Sequence, residues 1–338
     1  MRRAAADRLI SWTASLVFLA GAIVACGSVG PQHPDAATGG ASGGSGGQGG
    51  GSVPDAAADE APRDTAGPDT PPGDRPATDA ADVRPDTTTT SDLGSDTGAP
   101  VNDGSSAARA AMSCRLALAV APSSPNGLYW IRPDAAVPAR RLYCDMTSDG
   151  GGWTQVFKLN DGTTGDPATL WSGAPLNEDR PELAGTAKAA DNFVSSIISQ
   201  FWNVAPFGIR DVRVVFYIAG QERAFAKFAG NVTTQTSWFD KAQITSSSWT
   251  DMTTTAVTNF FSIAGDPTYG RRFFANVTYG GCTVDAGWMA VVAGDLAVCD
   301  WEDLTSPSIR IVYSNHATVA TWNSTFASVA DVFAVYVR

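Results

Sequence analysis

Histidine is scarce: two occur in 338 residues, and only His316 lies outside the polar first third of the chain. No H-E-x-x-H is present for a zinc protease and no G-x-x-x-x-G-K-[ST] for a phosphate cradle. No C-x-x-C occurs among the five cysteines, so a zinc site is a rival reading without supporting spacing. Gly43 to Gly47 spell G-x-S-x-G and Gly44 to Gly49 spell G-x-G-x-x-G, but both sit in a glycine run with no strand before and no helix after. Neither can form a nucleophile elbow or a dinucleotide loop. Positive charge is also short. The net charge is −11, of which residues 27–110 contribute most, with four Arg against thirteen acids. Without a basic footprint to displace counterions, nucleic acid is excluded as a partner and an anionic membrane surface is disfavoured.

Aromatic residues are missing where charge is concentrated. Residues 27–110 hold 16 Gly, 10 Pro and 12 Asp but no aromatic residue and no Cys. Such a stretch cannot bury enough apolar surface to offset the entropy of ordering, so it reads as a disordered linker, with a mean reach of roughly 50 Å. In front of it, Arg2, Arg3 and Arg8 precede an apolar run from Leu9 to Ala25, the pattern of an export signal. The run ends in Ile23-Val24-Ala25-Cys26, which resembles the lipobox of bacterial lipoproteins. That resemblance implies acylation of Cys26, a lipid anchor in the membrane, and an exported lipoprotein at the outer membrane or cell surface. Nine of ten Trp, all seven Tyr and fourteen of fifteen Phe fall within 111–338, which is taken as one folded domain.

Within that domain Ser113 can cap a helix over Cys114 to Ala119, Pro125-Asn126-Gly127 makes a turn, and Leu128 to Ile131 reads as a strand. Arg140 to Met146 forms the return strand. Thr147-Ser148-Asp149-Gly150-Gly151-Gly152 then forces a tight reversal before a strand from Trp153 to Phe157, since three glycines permit positive φ. Val194, Ile197, Ile198, Phe201 and Trp202 recur at helical spacing and predict an amphipathic helix from Asp191 onward. Alternation predicts strands at Val212 to Ile218, Arg271 to Thr278, Met289 to Val292, Ile309 to Tyr313 and Val332 to Val337. Cys114, Cys144, Cys282 and Cys299 allow three disulfide pairings.

The run S-C-x-x-A-L-A, P-S-S-P-N-G-L-Y-W-I-R-P-D and Y-C-D-M-T-S-D-G-G-G-W-T, over residues 113–157, resembles the opening of the fibrinogen C-terminal-like domain shared by ficolins, tachylectins and intelectins. The last strand, from Ala330 to Arg338, resembles the end of an intelectin. The resemblance implies pairing of Cys114 with Cys144. Local spacing agrees with this and with Cys282 paired to Cys299. It also implies an α+β fold: a mixed, mainly antiparallel sheet, few helices and long loops, stapled by two disulfides.

In such lectins calcium and a ligand pocket lie near the second disulfide. Asp285, Asp295, Asp300, Glu302 and Asp303 are therefore the expected calcium ligands, because calcium takes six to eight oxygens. The upstream D-x-D loop of vertebrate members is absent, since Ala264-Gly265-Asp266-Pro267 offers one acid. His316, Asn315, Trp322 and Asn323 are the expected ligand contacts, an aromatic face and hydrogen-bonding groups that suit a sugar. Trp288 and Trp301 are further aromatic candidates with core packing as their alternative. The expected function is a lectin-type module binding glycans, with calcium as possible cofactor. The alternative is an adhesion module that binds surface proteins, and no enzymatic activity is expected.

Overall fold

The computed structural model describes residues 101–202, 207–256, 259–303 and 306–338. The export signal, Cys26 and most of the linker lie outside these residues. Seven strands come first: β1 (Gly127–Ile131), β2 (Arg140–Asp145), β3 (Trp153–Asn160), β4 (Phe193–Val194), β5 (Asp211–Ile218), β6 (Gln221–Ala229) and β7 (Ile244–Ser247). They are followed by β8 (Phe261–Ser262), β9 (Arg271–Thr278), β10 (Ala286–Ala293), β11 (Ile309–Ser314), β12 (Ala320–Thr321), β13 (Ala327–Val329) and β14 (Val332–Val337). One sheet has the order β1-β2-β3-β14-β5-β6-β7, with β4 added to β3. The other runs β13-β11-β10-β9-β8, with β12 added to β10. Among the described residues every strand pair is antiparallel, and the one parallel contact is an isolated bridge between Ala111 and Ile131.

Period-two alternation explains how the sheets pack. On β5, Val212, Val214 and Phe216 join the main core while Val215 and Tyr217 face a second cluster with Trp153 and Tyr336. The final strand β14 sits between β3 and β5 and is buried on both faces, so Val332 to Val337 is apolar throughout and does not keep the alternation expected of it. Aromatic rings join the two sheets: Phe273 of β9 lies 4.9 Å from Phe333 and 5.8 Å from Phe157, and Tyr313 of β11 stacks on Phe216 at 5.2 Å. The short helix α2 (Pro167–Ser172) adds Trp171, 5.2 Å edge-on to Phe157.

The glycine turn is built as its sequence requires. Ser113 Oγ accepts the Leu116 N–H at 3.2 Å and caps α1 (Cys114–Val120). Asp145 Oδ1 accepts from Thr147 and Ser148 N–H, and Trp153 Nε1 donates to Ser148 O at 3.0 Å. Gly151 has φ +69°, and a Cβ there would stand 2.0 Å from Met146 O. The last residue closes this turn from above: Arg338 Nη1 donates to Asp149 O at 2.9 Å, and its guanidinium lies 4.2 Å over the Trp153 ring.

Cys114 bonds Cys144 and Cys282 bonds Cys299, as the resemblance and spacing implied. One expectation is corrected. The helix from Asp191 is only one turn, α3 (Ile197–Gln200), because Phe193 and Val194 pair with Lys158 and Phe157 as β4. Its apolar stripe is nonetheless buried, so the periodicity marked the core and not the helix length. Just upstream of residue 111 the chain is already ordered against β1. Residues 101–110 are tied to β1, with Trp130 N–H donating to Gly104 O at 2.8 Å and Gly104 packed close to Tyr129. Composition hid this, because a glycine chosen for close approach looks like linker glycine.

Candidate functional site

The acids expected to hold calcium separate into two groups. Asp285 and Glu302 are 1% and 0% exposed, and both bind Arg271, itself 2% exposed, which arrives from the start of β9. Arg271 Nη1 donates to Asp285 Oδ2 at 2.9 Å and Nε donates to Glu302 Oε1 at 2.5 Å. The other two carboxylate oxygens accept backbone N–H groups. Asp285 Oδ1 takes Gly280 and Gly281 at 2.9 Å each, and Glu302 Oε2 takes Val298 and Cys299 at 2.8 and 2.7 Å. Asp300 and Asp295 instead point outward on separate one-turn segments, Asp295 beside an open cleft of about 340 Å³ with Asp166 and Pro307. Asp303, at φ +63°, faces Arg310 at 3.8 Å. The single acid of the upstream loop, Asp266, accepts from Thr268 N–H and from the Tyr279 hydroxyl. Among the described residues no group of three or more His, Cys, Asp or Glu side chains is placed to hold a metal ion. The five acids therefore do not fit a calcium site. Two of them turn inward to an arginine that comes from another strand.

The ligand candidates separate as well. Asn315 and His316 line an open cleft of about 600 Å³ together with Ile218, Arg223, Tyr313, Phe326 and Ser328. His316 Nδ1 lies 3.0 Å from Thr318 Oγ1, and its ring is 5.0 Å from that of Phe326, which is 54% exposed. Asn315 Nδ2 donates to Ser328 Oγ at 2.6 Å, and the Asn315 N–H donates to Phe326 O at 2.8 Å, so the loop carrying the phenylalanine is pinned to the one carrying the histidine. Tyr313 is buried at the floor, and burial raises its hydroxyl pKa. Arg223 reaches the rim from β6 and is exposed.

Trp322, by contrast, is 3% exposed and packs on Trp301 at 5.6 Å, while Asn323 Nδ2 donates to Cys282 O at 2.7 Å and braces the second disulfide loop. The Trp301 and Trp322 indole N–H groups are buried without a hydrogen-bond partner. Trp288 is fully buried and donates to Asp251 Oδ1 at 2.8 Å. Sequence reasoning missed Phe326 and Arg223. They come beside His316 because β13, which follows Phe326, pairs with β11 and because β6 of the other sheet brings Arg223 to the same cleft, and no spacing along the chain signals it.

Residues 115–171 match the family model described as fibrinogen beta and gamma chains, C-terminal globular domain. That segment runs from α1 through the glycine turn to Trp171 in α2. Over those residues the chain is similar to the opening of the fibrinogen C-terminal globular domain. No curated protein matches the chain. Among solved structures, the fibrinogen-like globe domain of human ANGPTL2 is 19% identical, with 35% of this chain and 49% of that one covered and a TM-score of 0.24. This chain thus spans about half the length of that structure. The globe domain of human ANGPTL6 is 12% identical, with 67% and 94% covered and a TM-score of 0.33. Lamprey fibrin D-dimer, complexed with the peptide Gly-His-Arg-Pro-amide, is 12% identical, with 67% and 72% covered and a TM-score of 0.34.

Proposed function

We propose that this domain is a non-enzymatic, glycan-binding module, tethered to a bacterial outer membrane or cell surface by an acylated Cys26, and that the glycan occupies the cleft around His316. The observation that carries this reading is the exposed Phe326 ring beside His316 in a cleft that also presents the hydrogen-bonding side chains of Asn315, Ser328 and Arg223. An aromatic face packs against the C–H surface of a sugar while polar groups at its edge select hydroxyl orientation. Fibrinogen C-terminal-like domains serve as carbohydrate- or protein-binding modules, and this cleft is shallow and open, which suits a chain end or branch more than a deeply enclosed substrate.

The test is a glycan array probed with the full chain, followed by Phe326→Ala and His316→Ala on whatever is retained. Each substitution is expected to weaken binding at least about tenfold, with the melting temperature unchanged because both side chains lie at the surface. An array without a hit, together with capture of a surface protein by the same cleft, would transfer the function to protein adhesion. For the tether, Cys26→Ser is expected to abolish fatty-acid labelling and release the chain from the membrane fraction, and unchanged retention would refute the anchor.

A further inference from the structure

A guanidinium at the centre of an acidic loop near a disulfide is an unusual occupant. Arg271 lies where Asp285 and Glu302 converge, and its three donor nitrogens are directed to three different parts of the loop: Nη1 to Asp285, Nε to Glu302, and Nη2 to Cys299 Sγ at 3.3 Å. Through those two carboxylates it reaches the backbone on both arms of the Cys282–Cys299 loop, Gly280 and Gly281 on one side, Val298 and Cys299 on the other. Aromatic rings enclose it, with Trp301 at 4.8 Å, Tyr279 at 5.2 Å, Tyr269 at 5.3 Å and Phe274 at 5.9 Å from the guanidinium carbon. These faces present negative charge density to a cation.

We propose that Arg271 is the resident cation of this loop: it takes the place between Asp285 and Glu302 that a divalent ion would need, so the loop closes without metal and its acidic pocket takes none. Coordination supports this. The four oxygens of the two carboxylates already accept six hydrogen bonds, so few of their lone pairs are left for an ion that takes six to eight oxygens, and a calcium ion would have to expel a guanidinium that is itself paired. Charge supports it too. One cation faces two buried carboxylates, leaving one formal negative charge that four backbone N–H groups moderate. Burial works against the charge on Arg271, yet the Glu302 hydrogen bond and charge outweigh it and hold the guanidinium pKa above its ordinary value.

The experiment uses the full chain in about 5 mM calcium and in chelator, a concentration that fills extracellular-type sites. Wild type is expected to melt within about 1 °C in the two conditions, since a ligand that binds the folded state would raise the midpoint. Arg271→Met, which leaves two buried carboxylates facing each other, is expected to melt roughly 10 °C lower. If that variant does not fold, the triple change Arg271→Met, Asp285→Asn, Glu302→Gln decides, because it removes all three charges together. It is expected to fold and to ignore calcium. A calcium-dependent rise in wild type that disappears in Asp285→Asn with Glu302→Gln would overturn the proposal. So would an Arg271→Met variant within about 2 °C of wild type. A rise that survives the double substitution arises elsewhere and supports it.

Discussion

Around Cys114–Cys144 the chain is held by backbone geometry, whereas around Cys282–Cys299 it is held by charge. The first region needs three consecutive positive-φ glycines, an Asp145 turn and a capped helix, all supplied within about forty residues, and its arginine, Arg338, only covers the finished turn from the surface. The second has few local constraints of that kind. Its glycines Gly280 and Gly281 donate N–H groups to Asp285, and the loop takes its shape from a buried carboxylate pair drawn onto Arg271. Both loops are closed by disulfides worth roughly 3 to 4 kcal/mol on chain-entropy grounds, so the staple does not distinguish them. What differs is what fixes the interior of each loop. A region fixed by backbone geometry is sensitive to a single Cβ, whereas a region fixed by a buried ion triad is sensitive to the loss of one of its charges.

Glycine substitution gives the larger contrast. Gly151→Ala places a methyl group into Met146 O at φ +69° and is expected to cost about 3 kcal/mol, read as a lowered urea midpoint with unchanged slope. Gly281→Ala, at φ +116° with no neighbour within 4 Å, is expected to cost about 1 kcal/mol from backbone strain alone. Equal costs at the two sites would erase the distinction between the loops.

A smaller effect comes from pH, and its rising part sharpens the comparison by acting in neither loop. Burial pushes the Lys158 ammonium on β3 down from 10.5 to about 8, although its Nζ donates to Leu183 O and Ala187 O. A neutral amine retains two N–H donors, enough for both carbonyls. Because the unfolded chain holds this proton up to 10.5 while the folded one releases it near 8, stability is expected to rise across that window. Burial raises Tyr217, Tyr279 and Tyr336, so their contribution is intact below pH 10 and is lost above it as the unfolded chain ionises first. Urea midpoints from pH 7 to 11 should therefore climb and then fall. Lys158→Met should flatten the climb and leave the fall, and a climb that persists in the variant would assign it to another group.

The short-range parts of this protein were legible in its sequence. Ser113 with the following helix, Asn126-Gly127, the triple-glycine reversal and the alternation along β5 and β9 to β11 each state a local backbone preference, and local preferences are read within a few residues. The cysteine pairing followed from a motif whose neighbours are close in the chain. Burial was legible at α3 even where element type was not, because an apolar stripe records which residues face inward and leaves the backbone to its strand partners. The fate of a charged or aromatic side chain was not legible. Asp285 and Asp300 look alike in sequence, yet one is buried against Arg271 and the other faces solvent. Trp322 and Phe326 are four residues apart, and the first packs on Trp301 while the second stands in the open beside His316. Those outcomes belong to tertiary structure, because desolvation and charge pairing depend on which strand arrives opposite, and β9 and β6 deliver Arg271 and Arg223 from positions that no local spacing encodes.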